Sequence, residues 1–321
     1  MGKRSLLTDG LLCYKTLMSS HILVSDLVIN PNLAKNLVED QFGISIPKVS
    51  LLGEGFDNTV YLINDSLVFR FPRRKVAIEL IELELRLLPA LVGLLPIAIP
   101  KPLFIGTPSP AYNALFYGHE ILAGHSGCQV ELSLEQFSHL AHDLGVFLKT
   151  LHNLDWQALS LDAAALSPMF DRVEREQMLI WLEERFQAVK EVFNLGQFEE
   201  VIQHIISDSA SYKPRLKPVV LVHGDLYHRH LLFNKKGRLA GVIDWGDSCL
   251  SDRVVDLAIV YQFLHPDVRS RFFLAYGDVS VEELAYARFL GLYYVVSMLW
   301  YGDDRQDMSL ITSSLTALAR I

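Results

Sequence analysis

Residues 221–247 read LVHGDLYHRHLLFNKKGRLAGVIDWGD, and no other stretch constrains the fold as much. The apolar run PVVLV leads into it, HGDLYHRH follows as a turn, and a second apolar segment begins at Leu231. RLAGVIDW then reads as a strand whose end carries Asp244. Two strands flanking a loop would bring Asp225, His230 and Asp244 close together. Three of the eleven histidines, His223, His228 and His230, fall within eight positions here. Polar and charged groups beside core-forming runs are costly unless they are bonded or used. The stretch therefore predicts a polar turn held on an apolar frame.

Composition sets the outer bounds. A chain of 321 residues can hold two domains and a sizeable core. Hydrophobic residues at 50% and charged ones at 21% exclude disorder. A net charge of −8 without a block of like charges argues against a nucleic-acid partner and favours a cationic ligand. Cys13, Cys128 and Cys249 have neither paired nor metal-type spacing, which points to a reducing compartment, with the cytoplasm expected. No run reaches the roughly eighteen apolar residues of a membrane span, so no membrane partner is expected. Asp9, Gly10 and Lys15 interrupt any signal-peptide core, and Met18 is an alternative start.

The chain divides into a β-rich part and a helical part. A helix is expected at 31–42, where Leu33, Leu37 and Val38 have helical spacing. VSLLGEGFDNTVYLIND and SLVFRFP are β-rich runs joined by the hairpin signal Asn64-Asp65-Ser66. A helix at about 75–91 follows, then a proline-punctuated connection, then ALFYGHEILAG as a strand ending at Gly124. Ser133 with Gln136 forms a capping box ahead of a long helix, and further helices are expected near 171–193, 197–210, 253–264 and 281–300. The implied architecture is a small β-rich lobe followed by a larger helical one.

In LGEGFDNTVYLI, Gly53 and Gly55 lie between two strands and would let backbone N–H groups approach a phosphate. A two-glycine β-turn is the plainer reading of the same residues. A hairpin, not a helix, follows the glycines, which argues against a dinucleotide-binding βαβ unit. Arg70 sits mid-strand in LVFRFP, with Glu79, Glu82 and Glu84 on the next helix as partners. It reads either as a structural ion pair or as a phosphate-gripping cation held by a glutamate. In the later stretch, Asp225 on the turn suits a general base, and Asp244 suits a hard cation such as Mg²⁺. His230 would complete that shell, and a zinc site of the same residues is the rival.

The motifs H-G-D-L-x-x-x-H, V-I-D-W-G-D and S-D-x-x-x-D-L-A together resemble the aminoglycoside/macrolide phosphotransferase family, relatives of protein kinases. The resemblance runs from about residue 30 to the C-terminus. It implies an α+β, two-lobed protein-kinase-like fold, with an N-terminal extension over 1–30, an N-lobe over 31–123 and a helical C-lobe over 124–321. In that family a nucleoside triphosphate binds between the lobes, so ATP or GTP and Mg²⁺ are the implied co-substrate and cofactor. By position, Gly53, Gly55 and Asn58 fall in the phosphate-covering loop. Arg70 stands where a lysine usually meets the α- and β-phosphates, with Glu84 as its partner. Glu120 and Leu122 fall in the linker that bonds the base through its backbone. Asp225 matches the catalytic aspartate, His230 and Asp244 the metal-binding positions, and Asp256 a buried aspartate bracing the catalytic loop. Tyr227 and His230 depart from the usual H-G-D-L-H-x-x-N, and the histidine is similar to the macrolide branch.

The resemblance implies in-line transfer of a γ-phosphoryl group to a hydroxyl of a macrolide- or aminoglycoside-like molecule. Asp247, Asp252, Glu183 and Glu184 would attract an amine-bearing sugar, and Tyr293, Val296 and Trp300 form a helical stripe that reads as core. Competing readings are a metabolic kinase acting on choline, a sugar or homoserine, a catalytically idle binding module, and a zinc hydrolase built on His223, His230 and Asp244.

Overall fold

A computed structural model describes residues 26–55, 57–159, 161–168, 171–214 and 219–321. Cys13, the alternative start at Met18 and most of the expected N-terminal extension lie outside the described residues. The chain forms two compact units. The described part of the first comprises residues 26–82 and 102–121, and the second comprises Leu83–Lys101 and Leu122–Ile321. Residues 83–101, which the expected boundaries put with the first lobe, group with the second unit.

The first unit opens with α1 (Pro31–Phe42), capped by the Asn30 side chain, which accepts from Leu33 N–H. Strands β1 (Val49–Glu54), β2 (Asn58–Ile63) and β3 (Leu67–Pro72) follow. Asn64 and Asp65 both take positive φ (52° and 55°), the backbone of a tight hairpin turn, and set the register Ile63↔Leu67. The helix α2 (Lys75–Leu91) crosses the unit boundary in sequence. Strands β4 (Phe104–Gly106) and β5 (Phe116–Glu120) complete a five-stranded antiparallel sheet of order β1-β2-β3-β5-β4. An aromatic core of Phe42, Phe69, Phe71, Phe104 and Phe116 packs on one face, with Phe71 stacked on Phe116 at 4.7 Å between centroids. The strand expected to reach Gly124 stops at Glu120, after which Ile121 N–H bonds Ser66 O at 2.8 Å.

The second unit begins its sheet work with the two-residue β6 (His125–Ser126). α3 (Leu134–His152) carries the expected Ser133–Gln136 capping box and buries Leu140, Leu144, Phe147, Leu148 and Leu151 at helical spacing. α4 (Arg175–Lys190) and α5 (Glu199–Asp208) lead to β7 (Val220–Val222), β8 (Leu231–Phe233), β9 (Leu239–Val242) and β10 (Cys249–Ser251). The pairings β7–β10 and β6–β8–β9 are antiparallel. Where one helix was expected over 253–264, the chain forms two short ones, α6 (Val254–Leu257) and α7 (Ile259–Gln262). Helices α8 (Arg269–Tyr276) and α10 (Met308–Leu318) flank α9 (Val281–Arg305), whose middle is buried on nearly every side. Among the described residues no helix is long and apolar enough to cross a membrane.

Candidate active site

The polar turn sits between β7 and β8, and two imidazoles clamp the backbone of Asp225. His223 Nε2–H donates to Ile243 O at 3.1 Å, which leaves Nδ1 to accept from Asp225 N–H at 3.3 Å. His230 Nδ1–H donates to Asp225 O at 2.8 Å, while Ile243 N–H donates to His230 O at 3.0 Å. Both histidines thus tie Asp225 to the segment that carries Asp244. His223 is wholly buried, and burial pulls its pKa down to about 4, so it stays neutral. With both ring nitrogens engaged it has no lone pair for zinc, which removes the hydrolase reading. His228 is buried too, stacks on Phe263 and bonds Ser313 Oγ at 2.9 Å. Its role is structural.

His230 is the histidine that faces the two carboxylates, Asp225 and Asp244. With Nδ1–H committed, its Nε2 points at Asp244 Oδ2 across 3.3 Å. Burial works to lower its pKa, but Asp244, followed by Asp225, outweighs that and raises it. A neutral imidazole there would set two acceptors against each other, so the pair calls for a proton or a cation between them. The ring of Tyr227 stands edge-on to His230 at 4.3 Å and holds its plane. Asp244 follows β9 rather than ending a strand, and adopts a left-handed φ of 69°. That conformation is strained for any residue with a Cβ and turns a 42%-exposed carboxylate outward.

Asp225 keeps its carboxylate at the surface of the turn, and burial of the group raises its pKa to about 6, with His230 opposing the shift. Gly224 makes this turn feasible. Its φ is +85°, and a Cβ there would lie 2.1 Å from Asp247 O. Behind the turn, Asp256 accepts His223 N–H at 2.8 Å and Gly224 N–H at 3.0 Å. Tyr294 O–H donates to Gly224 O at 3.0 Å. Sequence reasoning did not find Tyr294, nor Arg172, a buried guanidinium that donates to Asp247 Oδ1 at 3.2 Å. Nothing in their local spacing distinguishes them from core residues.

The acids expected to attract an amine are differently placed. Asp252 is buried and accepts Tyr212 O–H at 2.6 Å and Val254 N–H at 3.2 Å. Asp247 faces Arg172, while Glu183 and Glu184 lie exposed on α4. Of the aromatic stripe, Tyr293 and Val296 are core residues. Glu84, also in the second unit, is 1% exposed and its Oε1 accepts Trp245 N–H at 2.9 Å. It thereby fixes the residue next to Asp244. Leu122 Cδ1 lies over Gly241, where an added Cβ would meet it at 3.3 Å.

In the first unit, Arg70 is buried on β3, opposite Val60 and Tyr117. Gly55 N–H bonds Asn58 O at 2.9 Å and closes the glycine turn. Arg73 donates to Gly55 O at 2.8 Å and pairs with Glu54 at 2.9 Å, and Arg74 pairs with Asp57. Asn58 is buried, with its Oδ1 unbonded. Glu120 O accepts from His119 Nδ1 at 2.7 Å.

An antiparallel-sheet unit and a helical unit carrying this carboxylate turn define a phosphotransferase of kinase-like fold. The chain belongs to the phosphotransferase enzyme family, which it matches over residues 48–290. It is 26% identical to APH(2")-IIia, solved as a GDP and kanamycin complex, over 89% of this chain and 97% of that one, with a TM-score of 0.66. It is likewise 26% identical to aminoglycoside 2'-phosphotransferase-IIIa in its GDP complex, over 91% and 98%, with a TM-score of 0.65. Macrolide 2'-phosphotransferase MphH from Brachybacterium faecium shares the fold at 20% identity, over 89% and 98%, with a TM-score of 0.58. The protein is a nucleotide-dependent small-molecule kinase that takes an alcohol group as acceptor.

Proposed function

We propose that the protein transfers the γ-phosphoryl group of ATP or GTP to a hydroxyl of an aminoglycoside- or macrolide-like acceptor, with Asp225 as the base. The observation that carries this reading is the double clamp on Asp225. Its N–H and C=O are both fixed by imidazoles while its carboxylate, with a pKa of about 6, remains at the turn surface. Such a group is ionised at neutral pH and accepts or orients a hydroxyl proton, a contribution of roughly 10²–10⁴-fold in rate. Gly53, Gly55, Asn58 and Arg70 supply the phosphate contacts of the first unit, and backbone groups at Glu120 and Leu122 meet the base.

Asp244 and His230 are the residues that would hold Mg²⁺. The facing Oδ2 and Nε2 fit a cation, and Mg²⁺ takes few protein ligands and completes its shell with water and phosphate oxygens. When bound, the ion would neutralise charge on the triphosphate.

The test is mass detection of a phosphorylated product, with ATP and GTP in parallel, over kanamycin, a macrolide panel and small metabolic alcohols. A gain of one phosphoryl group on one compound, lost in Asp225→Asn with nucleotide binding retained, is the expected result. Products from a small alcohol alone would move the assignment to a metabolic kinase. Nucleotide binding without any product would leave an idle module.

A further inference from the structure

A cavity of 320 Å³ opens in the helical unit among α5, α7, α8 and α9, and no residue of the 223–247 stretch lines it. Ile205, Val281 and Leu284 form its apolar side, with Tyr261 beside them. Arg269 and Arg288 form its basic side, and the acid that borders it is the exposed Asp208. Arg269 donates to Arg320 O at 2.7 Å and to Tyr261 O at 3.4 Å, and its guanidinium lies 5.0 Å from the centroid of the Tyr261 ring. Its Nε–H is buried without a partner. Arg288 Nε–H donates to Ile321 O at 2.8 Å. Carbonyl oxygens take up N–H groups but leave the charge of Arg269 in place. Among the described residues no Asp or Glu side chain forms an ion pair with Arg269, Arg288 or Arg320. Burial, opposed by Tyr261 and joined by the like charges of Arg288 and Arg320, pulls the Arg269 pKa down to about 10. The group is still charged at neutral pH, so cations are held close together at one cavity.

Like charges gathered in a half-buried place are costly unless an anion joins them. Two guanidinium forks match the oxygens of a phosphate, and a phosphate monoester carries about −1.5 to −2 at neutral pH. A monocarboxylate would balance only one of the two cations that line the cavity. The apolar lining selects further. Val281 is 78% exposed whereas Ile205 is fully buried, so apolar surface runs from the mouth of the cavity inward. We infer that this cavity binds an organic phosphate monoester, its phosphate held by Arg269 and Arg288 and its apolar body lying against Ile205, Val281 and Leu284. The inference stands apart from the reading of Asp225 as the base.

The experiment titrates phenyl phosphate into the full chain in the presence of saturating ADP and Mg²⁺, so that the nucleotide site is filled, and reads binding by calorimetry. A dissociation constant of about 0.1–1 mM is expected. Inorganic phosphate lacks the apolar body and should bind at least about tenfold more weakly. Arg288→Met should weaken phenyl phosphate about tenfold or more while ADP affinity stays unchanged. Arg288→Lys keeps the charge but loses the fork, and should weaken it about threefold. No binding of phenyl phosphate to the wild type overturns the inference, and so does equal binding in wild type, Arg288→Met and Arg288→Lys. Should Arg288→Met fail to fold, Arg269→Lys and Arg288→Lys together replace it, and undiminished binding there overturns the inference as well. Co-sedimentation with phosphatidylcholine vesicles that contain phosphatidate separates the sources of the ester. Sedimentation of the wild type but not of Arg288→Met assigns the phosphate to a lipid headgroup, and none in either assigns it to a soluble ester. Vesicle binding without phenyl phosphate binding would mean a membrane-facing surface in place of a ligand cavity, and it overturns the inference.

Discussion

The turn at 223–225 and the turn at 53–58 both carry glycines between strands, yet the fold asks opposite things of them. At Gly224 the backbone is left-handed and another backbone passes too close for a Cβ. Every backbone polar group from His223 N to Asp225 O has a partner within its unit. Among the described residues, an added Cβ at Gly53 would meet nothing within 4 Å, and at Gly55 only Asn58 O at 3.7 Å, with ordinary φ at both. The first turn is fixed by the protein so that one carboxylate keeps its place. In the second, nothing among the described residues requires glycine, which accords with the proposed close approach of a ligand to this loop.

The sharpest way to break this comparison is Gly224→Ala. The substitution forces a Cβ into a left-handed residue at 2.1 Å from Asp247 O, and backbone has to move. We expect a loss of about 2–4 kcal/mol in unfolding free energy and at least a 10²-fold drop in kcat. Chemical denaturation and turnover measure the two. A variant that keeps both would show that the turn is far more compliant than its bonding pattern says.

A smaller effect follows from the pH behaviour of Asp225. Its pKa of about 6 lies above the ordinary carboxylate value, so the base form grows as pH rises through 6. The acid limb of kcat/KM should therefore fall near pH 6, since that ratio reports the free enzyme. Stability runs the other way. Between the unfolded carboxylate value near 4 and about 6, the folded state holds the extra proton, so stability declines as pH rises through this window. In buffer free of divalent ions, Asp225→Asn should be more stable than wild type at pH 7 by about 1–3 kcal/mol, and the gain should vanish below pH 4. Equal stability at both pH values would mean that the turn carries no such tension.

Much of this was legible in the sequence because it is local. Asn64-Asp65 named its hairpin, Ser133 and Gln136 their capping box, and the spacing of Leu33, Leu37 and Val38 their helix. The trio Asp225, His230 and Asp244 was legible because two strands flank one loop. What escaped is non-local. His152 meets Asp256 across 104 positions and Trp245 meets Glu84 across 161, and no periodicity announces such pairs. The bond of Glu84 to Trp245 likewise follows only from the fold. Helices α8 and α10 were missed because one is eight residues long and the other is rich in serine and threonine, which weaken a helical signal. Likewise, Asp252 read as a lure for amines, yet it serves Tyr212 and a helix start.

The mildest substitution tests the other half of the comparison. Gly53 follows an irregularity in the β1–β2 pairing at Leu51/Gly53, and among the described residues nothing would meet a Cβ there within 4 Å. Gly53→Ala should therefore leave unfolding free energy within about 0.5 kcal/mol of wild type, or raise it slightly by restricting the unfolded chain. On the proposed reading of the loop as a phosphate cover, a methyl group there would nonetheless stand between the backbone and its ligand. We expect nucleotide KM to rise about tenfold while the melting temperature stays unchanged, as read by kinetics and thermal unfolding of the same preparation. If KM stays put as well, the glycine is an ordinary turn residue and the phosphate reading of the loop loses its support. If stability falls instead, the glycine serves the fold after all, and the two turns differ less than their surroundings suggest.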